Sequence, residues 1–145
     1  FQSRHPRTED PYAVLLCKRI HAPMKIPVDI LELAFIQAKK SPMQYRHGSV
    51  IWKSNRILGT GYNYPIAPPG GEKRRFSIHS ERDCLKGLRG DQIYNAELLC
   101  IRLNSANSLV SSHPCKGCRK LLTRKGVKNI YWFDSQGSLV RSSLN

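Results

Sequence analysis

Apolar residues recur at helical spacing early in the chain. They share one face of a helix at offsets of three, four, seven and eight residues: Ile30, Leu33, Ala34 and the pair Gln37-Ala38. Pro27 precedes this stretch, Asp29 lies in its first turn, and Lys40 lies at its end, which is the charge order that the helix dipole favours. The pattern predicts a helix over residues 28–40.

Strands are predicted where β-prone residues cluster between turn signals. Residues 48–52 and 57–63 flank a short polar break and predict a hairpin. Residues 96–103 and 128–133 predict two further strands. A turn at 134–137 leads into a short strand at 138–140.

Two more helices carry candidate chemistry. Ser77 can cap a helix that begins near His79 and runs through Leu88. Pro114 is expected in the first turn of another helix, which Gly126 ends. In that helix the side chains predicted to face inward are Cys115, Cys118, Leu121 and Leu122, and those predicted to face outward are Lys116, Lys120 and Arg124.

Two segments have weaker patterns. Residues 1–27 contain one apolar run, Tyr12–Leu16, which fits a short strand or a short helix equally well. Residues 64–77 hold three prolines, two glycines and Lys73-Arg74-Arg75 just before His79. This composition predicts a mobile basic loop, either a substrate contact or a plain connection.

Length and composition fit one small domain, with 145 residues and 40% hydrophobic content. We assign residues 28–145 to that domain and residues 1–27 to an N-terminal extension that packs on the core or precedes it.

No apolar run approaches the ~18 residues of a membrane span, and no secretory signal is visible. Five cysteines, an odd number, argue against a disulfide framework. We expect an intracellular protein, in the cytoplasm or nucleus, although a removed targeting segment would not be visible.

The chain is strongly basic, with a formal net charge of +14. No acidic residue lies between Glu97 and Asp134, and basic residues crowd this stretch: Lys116, Arg119, Lys120, Arg124, Lys125 and Lys128. Such a surplus favours phosphate-bearing partners. The alternative is a solvated helix face on a basic protein.

Three residues have the spacing of a tetrahedral zinc site with one open position: His79, Cys115 and Cys118. Glu81 follows the histidine by two residues, so it can reach a zinc-bound water without binding the metal. A closed structural zinc site or a redox pair are the alternatives, but Cys17, Cys84 and Cys100 lack Cys-x-x-Cys spacing. His-x-Glu followed by Pro-Cys-x-x-Cys is the signature of zinc nucleobase deaminases.

With these motifs, residues 28 to about 140 resemble the cytidine deaminase-like superfamily. The resemblance implies an α/β fold of three layers, α/β/α, with a mixed sheet of about five strands. Residues 46–51 and 60–63 are similar to dCMP and tRNA adenosine deaminases, whereas residues 118–122 and the terminal hairpin are similar to free cytidine deaminases. The family's common His-Ala-Glu is His-Ser-Glu here, and we expect no effect from Ser80.

The resemblance also implies roles for residues. It makes His79, Cys115 and Cys118 the ligands of one zinc per chain, and Glu81 the catalytic proton shuttle. Asn63 is expected to contact the sugar and to lie near the base. The substrate-binding candidates are Tyr62, Asn63, Ser112 and Pro114. Aromatic side chains near the site that could stack on bases are Tyr62, Tyr64 and Phe76.

The implied reaction is hydrolytic deamination at C4 of cytosine, or C6 of adenine. The basic stretches carry more positive charge than the binding of a single phosphate group requires. We therefore predict a cytosine-to-uracil deaminase that acts on single-stranded DNA or RNA. The predicted nucleic-acid contacts are Lys73, Arg74, Arg75, Lys116, Arg119 and Lys120. Three alternatives remain: a free dCMP or cytidine deaminase, a tRNA adenosine deaminase, and an inactive zinc-stabilised nucleic-acid-binding module. We expect no membrane partner, and the sequence leaves oligomeric state open.

Overall fold

A mixed β-sheet forms the centre of the fold, with helices on both faces. The computed structural model describes residues 26–66 and 76–144. The elements in chain order are α1 (Val28–Lys40), β1 (Arg46–Lys53), β2 (Arg56–Tyr62), β3 (Tyr64–Ile66), β4 (Phe76–Ile78), α2 (Ser80–Asp83), α3 (Gly90–Ile93), β5 (Glu97–Leu103), β6 (Leu109–Val110), α4 (Lys116–Arg124), β7 (Asn129–Phe133) and β8 (Leu139–Ser143). The predicted three-layer α/β/α fold is confirmed.

The main sheet has the strand order β2-β1-β5-β7-β8, and the short β6 also pairs with β5. β1 runs antiparallel to both β2 and β5, whereas β5 and β7 are parallel. Parallel neighbours need a crossover connection, and α4 lies in the one that joins β5 to β7. The predicted hairpin is also confirmed, since Lys53 pairs with Arg56 across a two-residue turn. The sheet thus contains the predicted strands and adds the short β6.

Side chains alternate between two cores, one on each face of the sheet. Along β5, Leu99 and Ile101 join the core that α1 covers, whereas Leu98 and Cys100 join the opposite core. The second core also contains Leu122 of α4. Burial on both faces explains why the central strands are almost continuously apolar in sequence.

Helix α1 has the predicted bounds. The residues buried along it are Ile30, Leu31, Ala34, Phe35, Gln37 and Ala38. Asp29 Oδ1 accepts a hydrogen bond from the Ile30 N–H at 3.0 Å, and Lys39 and Lys40 occupy the last turn. Within residues 26–66 and 76–144, no helix combines the length and the apolar character that crossing a bilayer requires.

The helix predicted from His79 to Leu88 is wrong in its extent. Only Ser80–Asp83 is α-helical, His79 occupies the N-cap position, and Ser77 belongs to β4 instead of capping the helix. After Asp83 the chain tightens, because the N–H groups of Leu85 and Lys86 bond to carbonyls three residues back. The sequence pattern did not predict this early end, because the local sequence contains no signal of where the helix meets the sheet.

Part of the segment 64–77, which was predicted to be a loop, forms β-strands. Its two ends pair as an antiparallel ribbon, with Tyr64 opposite Ile78 and Ile66 opposite Phe76. Lys73, Arg74 and Arg75 lie outside the described residues, as does the apolar run Tyr12–Leu16. The division into an extension and a domain therefore stays a prediction.

Two glycines let the α2 segment lie directly against β2. A Cβ atom on Gly59 would approach the carbonyl oxygen of Cys84 to 2.3 Å, and one on Gly61 would approach the Cys84 nitrogen to 2.5 Å. Both contacts are with backbone, which cannot move aside as a flexible side chain can. These glycines therefore set how closely residues 80–84 approach the sheet.

We expect Gly61→Ala to destabilise the protein by ~1–3 kcal/mol, because the added methyl group overpacks the contact between α2 and β2. Gly90→Ala is the matched control, since a Cβ atom at Gly90 meets nothing within 4 Å. Urea unfolding followed by circular dichroism measures both variants. Equal unfolding midpoints for Gly61→Ala and wild type would contradict the role assigned to this contact.

Candidate active site

Three side chains that are distant in sequence converge at one end of the fold. His79 Nδ1 lies 3.5 Å from Cys115 Sγ and 3.3 Å from Cys118 Sγ. All three candidate ligand atoms lie within 4.8 Å of one another, so they could hold a metal ion. We call these three residues the metal-ligand group, or ligand group. Across residues 26–66 and 76–144, no fourth His, Cys, Asp or Glu joins this group.

Two helix beginnings bring these ligand atoms together. His79 is the N-cap residue of α2, and Cys115 is the N-cap residue of α4. The Cys115 sulfur accepts a hydrogen bond from the Cys118 N–H at 3.4 Å, so the thiol itself caps the helix. Both cysteines therefore lie at a helix N-terminus, where the partial charge of the backbone is positive.

The start of α4 differs from the sequence prediction. Pro114 precedes the N-cap instead of lying in the first turn, and Cys115 is exposed instead of facing inward. The reason is that a cap residue has extended backbone, so its side chain points out beyond the helix end. Lys116, Lys120 and Arg124 are exposed as predicted, and Gly126 follows the helix with a φ of +85°.

The electrostatics of the group favour a cation. Burial raises the pKa of the Cys118 thiol, and the charges of Glu81 and Cys115 raise it further. With no cation present, Cys118 therefore stays protonated. A divalent ion would reverse this preference, since thiols bind metals as thiolates. Two sulfurs and one imidazole nitrogen are a donor set that suits zinc, and three protein ligands leave the open position of a catalytic site.

Glu81 lies in the first turn of α2 and is only 4% exposed. Its Oε1 accepts a hydrogen bond from the Ser80 hydroxyl at 3.3 Å. Its negative charge raises the pKa of the Cys118 thiol, which places the carboxylate within electrostatic reach of the metal-ligand group. A buried carboxylate in this position can exchange protons with a small molecule held at the ligand group.

Two of the residues predicted to contact substrate, Asn63 and Ser112, are buried and hydrogen-bonded within the protein. Asn63 is 7% exposed, and its amide is bonded to backbone: Oδ1 accepts from the His47 N–H, and Nδ2 donates to the Tyr45 carbonyl. The Ser112 hydroxyl donates to the Cys100 carbonyl and accepts from the Phe133 N–H. Both side chains thus hydrogen-bond to the backbone of neighbouring segments. Direct contact of either with a substrate stays a prediction.

Two of the predicted aromatic contacts lie where β2 ends and β3 begins. The Tyr62 and Tyr64 rings meet edge to face at 5.9 Å, and both residues are partly exposed. Lys86 Nζ lies 4.9 Å from the centre of the Tyr64 ring. Pro114 is buried next to Cys115. The side chain of Phe76 lies outside what the structure describes.

A basic groove borders the metal-ligand group along α4. Its volume is about 830 Å³, and it is lined by His113, Pro114, Cys115, Lys116, Arg119, Lys120, Thr123 and Arg124. Arg119 lies over the Trp132 ring at 5.7 Å and donates to Ser142 Oγ at 3.1 Å. Lys116, Arg119 and Lys120 thus line one groove, and their contact with nucleic acid stays a prediction.

Sequence reasoning missed residues that β1 and β5 contribute from the sheet. Burial lowers the pKa of His47, while the nearby Glu81 carboxylate raises it in part. Ser49 lies beneath Ser80, with 2.7 Å between their hydroxyl oxygens, and Cys100 Sγ lies 3.9 Å from Ser80 Oγ. The signal in the sequence was a polar residue inside an apolar strand, as at Ser49 in β1.

Known structures share this arrangement of elements. No family profile and no curated protein matches the sequence. Cytidine deaminase from Burkholderia pseudomallei is similar with a TM-score of 0.61 and 17% identity, over 83% of this chain and 94% of that one. The dCMP deaminase of cyanophage S-TIM5 is similar with a TM-score of 0.51 and 24% identity, over 77% and 86% of the two chains.

A third similarity, to cytidine deaminase from Mycobacterium tuberculosis, has a TM-score of 0.53 and 16% identity, over 74% of this chain and 84% of that one. Identities this low establish the fold and leave the chemistry to be argued from the site. The resemblance drawn from the His-x-Glu and Pro-Cys-x-x-Cys motifs is therefore confirmed at the level of the fold, and the chain has the cytidine deaminase-like fold.

Proposed function

We propose that this protein is a zinc-dependent hydrolytic deaminase that converts cytosine to uracil in single-stranded nucleic acid. The observation that carries the proposal is the convergence of His79, Cys115 and Cys118 beside the buried carboxylate of Glu81. The similarity in fold to cytidine and dCMP deaminases supports the reaction type. An inactive binding module would have no use for a buried carboxylate at this position.

In this proposal His79 Nδ1 and the two cysteine sulfurs hold the zinc. A zinc ion supplies Lewis acidity, which makes water a nucleophile near neutral pH. Glu81 accepts a proton from the attacking water on a carboxylate oxygen and delivers it to the departing amino group. The products are uracil and ammonia. Because Glu81 is almost fully buried, bulk water does not compete for the proton that it carries.

The basic groove along α4 supports a polynucleotide substrate. Lys116, Lys120 and Arg124 are exposed, and the groove that they line includes Cys115, one of the candidate zinc ligands. A strand whose phosphates follow α4 would therefore pass beside the reaction site. Tyr62 and Tyr64 offer partly exposed rings for base stacking.

A free-nucleotide deaminase is the second candidate, favoured by the names of the structural neighbours, which are cytidine and dCMP deaminases. Such an enzyme needs one phosphate contact at most. Incubation with cytidine, dCMP, an RNA oligomer and a DNA oligomer, followed by mass spectrometry of the products, separates the two candidates. Conversion of cytosine in an oligomer supports the first, and conversion of the small molecules alone supports the second.

The first prediction concerns the metal. We expect one zinc per chain in the purified protein, measured by plasma mass spectrometry. Cys115→Ser should lose most of the zinc and lower the melting temperature, because metal binding contributes to folding free energy. Cys84→Ala is the control, since this buried cysteine lies outside the ligand group and its loss should leave zinc in place. Undiminished zinc in Cys115→Ser would refute the ligand assignment.

The second prediction separates chemistry from folding. Glu81→Gln should keep zinc and fold while lowering kcat by ~10²–10⁴-fold or more, since it removes the group that transfers the protons. Glu97→Gln is the matched control, because Glu97 bonds to Tyr131 and Asn129 and not to the site. Wild-type turnover by Glu81→Gln would remove the proposed mechanism.

The third prediction concerns the partner. Affinity for a labelled single-stranded oligomer should fall with salt, with a log–log slope of about −0.7 per phosphate neutralised. Replacing both Lys116 and Lys120 by Ala should weaken binding and flatten this slope. Replacing both Lys39 and Lys40 on α1 removes the same charge from the opposite face of the sheet and should change little.

The basic segment before β4 is tested in the same way, by replacing Lys73, Arg74 and Arg75 together with Ala. We expect weaker oligomer binding and unchanged zinc content, because the candidate ligands are His79, Cys115 and Cys118. Efficient turnover of dCMP or cytidine with every oligomer left unchanged would overturn the nucleic-acid proposal. The +14 charge would then be a feature of solubility.

A further inference from the structure

We propose that Ser80 is a positioning residue that, together with Ser49, holds the Glu81 carboxylate in the orientation needed for proton transfer. The inference rests on the proposed deaminase function. It also reverses the expectation that the serine of His-Ser-Glu has no effect.

Three polar side chains form a continuous buried chain that ends at the carboxylate. Ser49 and Ser80 are both 0% exposed, and Glu81 is 4% exposed. Ser49 Oγ lies 2.7 Å from Ser80 Oγ, and Ser80 Oγ lies 3.3 Å from Glu81 Oε1. With water excluded from both hydroxyls, each must find its partners within the protein.

The direction of the hydrogen bonds follows from the geometry at Ser80. The Ser80 hydroxyl donates its single proton to Glu81 Oε1. Ser80 then has an acceptor lone pair for Ser49, which must be the donor in that contact. The chain therefore runs from Ser49 through Ser80 to Glu81, and each hydroxyl orients the next.

Ser49 is a rigid anchor for this chain. It lies within β1, the second strand of the sheet, and pairs with Gly61 of β2 on one side and Cys100 of β5 on the other. Its side chain points to the face that α2 covers, because the next residue, Val50, joins the core under α1. The sheet thus fixes the position of the Ser49 hydroxyl, and through it that of the Ser80 hydroxyl.

Cys100 completes the polar surroundings from β5. Its sulfur lies 3.9 Å from Ser80 Oγ. Burial raises the pKa of the Cys100 thiol, and the Glu81 charge raises it further, so this side chain stays neutral. Ser49 of β1 and Cys100 of β5 therefore present a neutral hydroxyl and a neutral thiol beneath Glu81. His47 of β1 is a further neighbour, since the Glu81 carboxylate raises its pKa in part.

The consequence for catalysis is geometric. Glu81 must accept a proton at one point of the reaction and deliver it at another, so its oxygens need a defined position. The substitution Ser80→Ala would preserve the backbone but remove the hydroxyl that bonds to Oε1, so the carboxylate would lose a contact that sets its orientation. Misplacement of a catalytic group by about 1 Å is enough to slow an enzyme by ~10²-fold.

Kinetics with matched variants test this role. We expect Ser80→Ala to lower kcat by about 10- to 100-fold with KM and zinc content unchanged. Ser49→Ala should have a smaller effect of the same kind, and the double variant should be no slower than Ser80→Ala, because both act through one hydrogen bond. Tyr131→Phe is the control: it removes a hydroxyl bonded at 2.6 Å to another carboxylate, Glu97, and should leave kcat unchanged.

A second measurement requires no turnover. In carboxyl ¹³C NMR spectra, the Glu81 resonance is assigned by its loss in Glu81→Gln. Ser80→Ala should shift this resonance and leave that of Glu97 in place, whereas Tyr131→Phe should do the reverse. Failure of the wild type to deaminate any substrate would defeat the proposed function while this readout still reports the contact.

An unmoved Glu81 resonance in Ser80→Ala overturns the proposal, whatever the rate. A moved resonance with an unchanged kcat overturns it as well, because the contact would then have no role in catalysis. If Ser80→Ala does not fold, Ser49→Ala decides by the same two criteria, since it leaves Ser80 in place.

Discussion

The close contact between the α2 segment and β2 is the constraint on which the site depends. Helix α2 has only four residues, far too few to be stable alone, so its position comes from what it touches. Gly59 and Gly61 leave room for the backbone of Cys84, and the Tyr62 N–H donates to Asp83 Oδ2 at 3.1 Å. Side chains on β2 at the two glycine positions would push this segment outward, and the residues just before it would move as well.

This contact also determines what lies beneath the Glu81 carboxylate. Because the segment lies on the sheet, Ser80 reaches Ser49 of β1 and Glu81 is shielded from water. In the same placement the His79 ring lies beside the two sulfurs. One short helical turn thus presents a ligand, a hydroxyl and a carboxylate, each toward a different partner.

The ligand group has the donor set of a site for a divalent cation. Burial raises the pKa of the Cys118 thiol, and the Glu81 charge raises it further, so the thiolate form of this residue needs positive charge nearby. The N-terminus of α4 supplies part of that charge, and the Cys118 N–H bonds to Cys115 Sγ. A divalent ion would supply the rest. The same helix carries lysines on its outer face, so α4 connects the ligand group to the basic groove.

The sequence alone determined the order of the main elements and the residues of the ligand group. Helix 28–40, the hairpin and the strands at β5 and β7 followed from periodicity, because these elements bury regular faces. The grouping of His79, Cys115 and Cys118, which could hold a metal ion, followed from spacing, and Glu81 followed as the predicted proton shuttle beside them. Only the tertiary structure decided where α2 ends, that Cys115 is a cap residue, and that Ser49, Ser80 and Cys100 meet under Glu81. The group beneath Glu81 arises from contacts between distant segments, such as that of Ser49 with Ser80 31 residues away, and local patterns contain no record of such contacts.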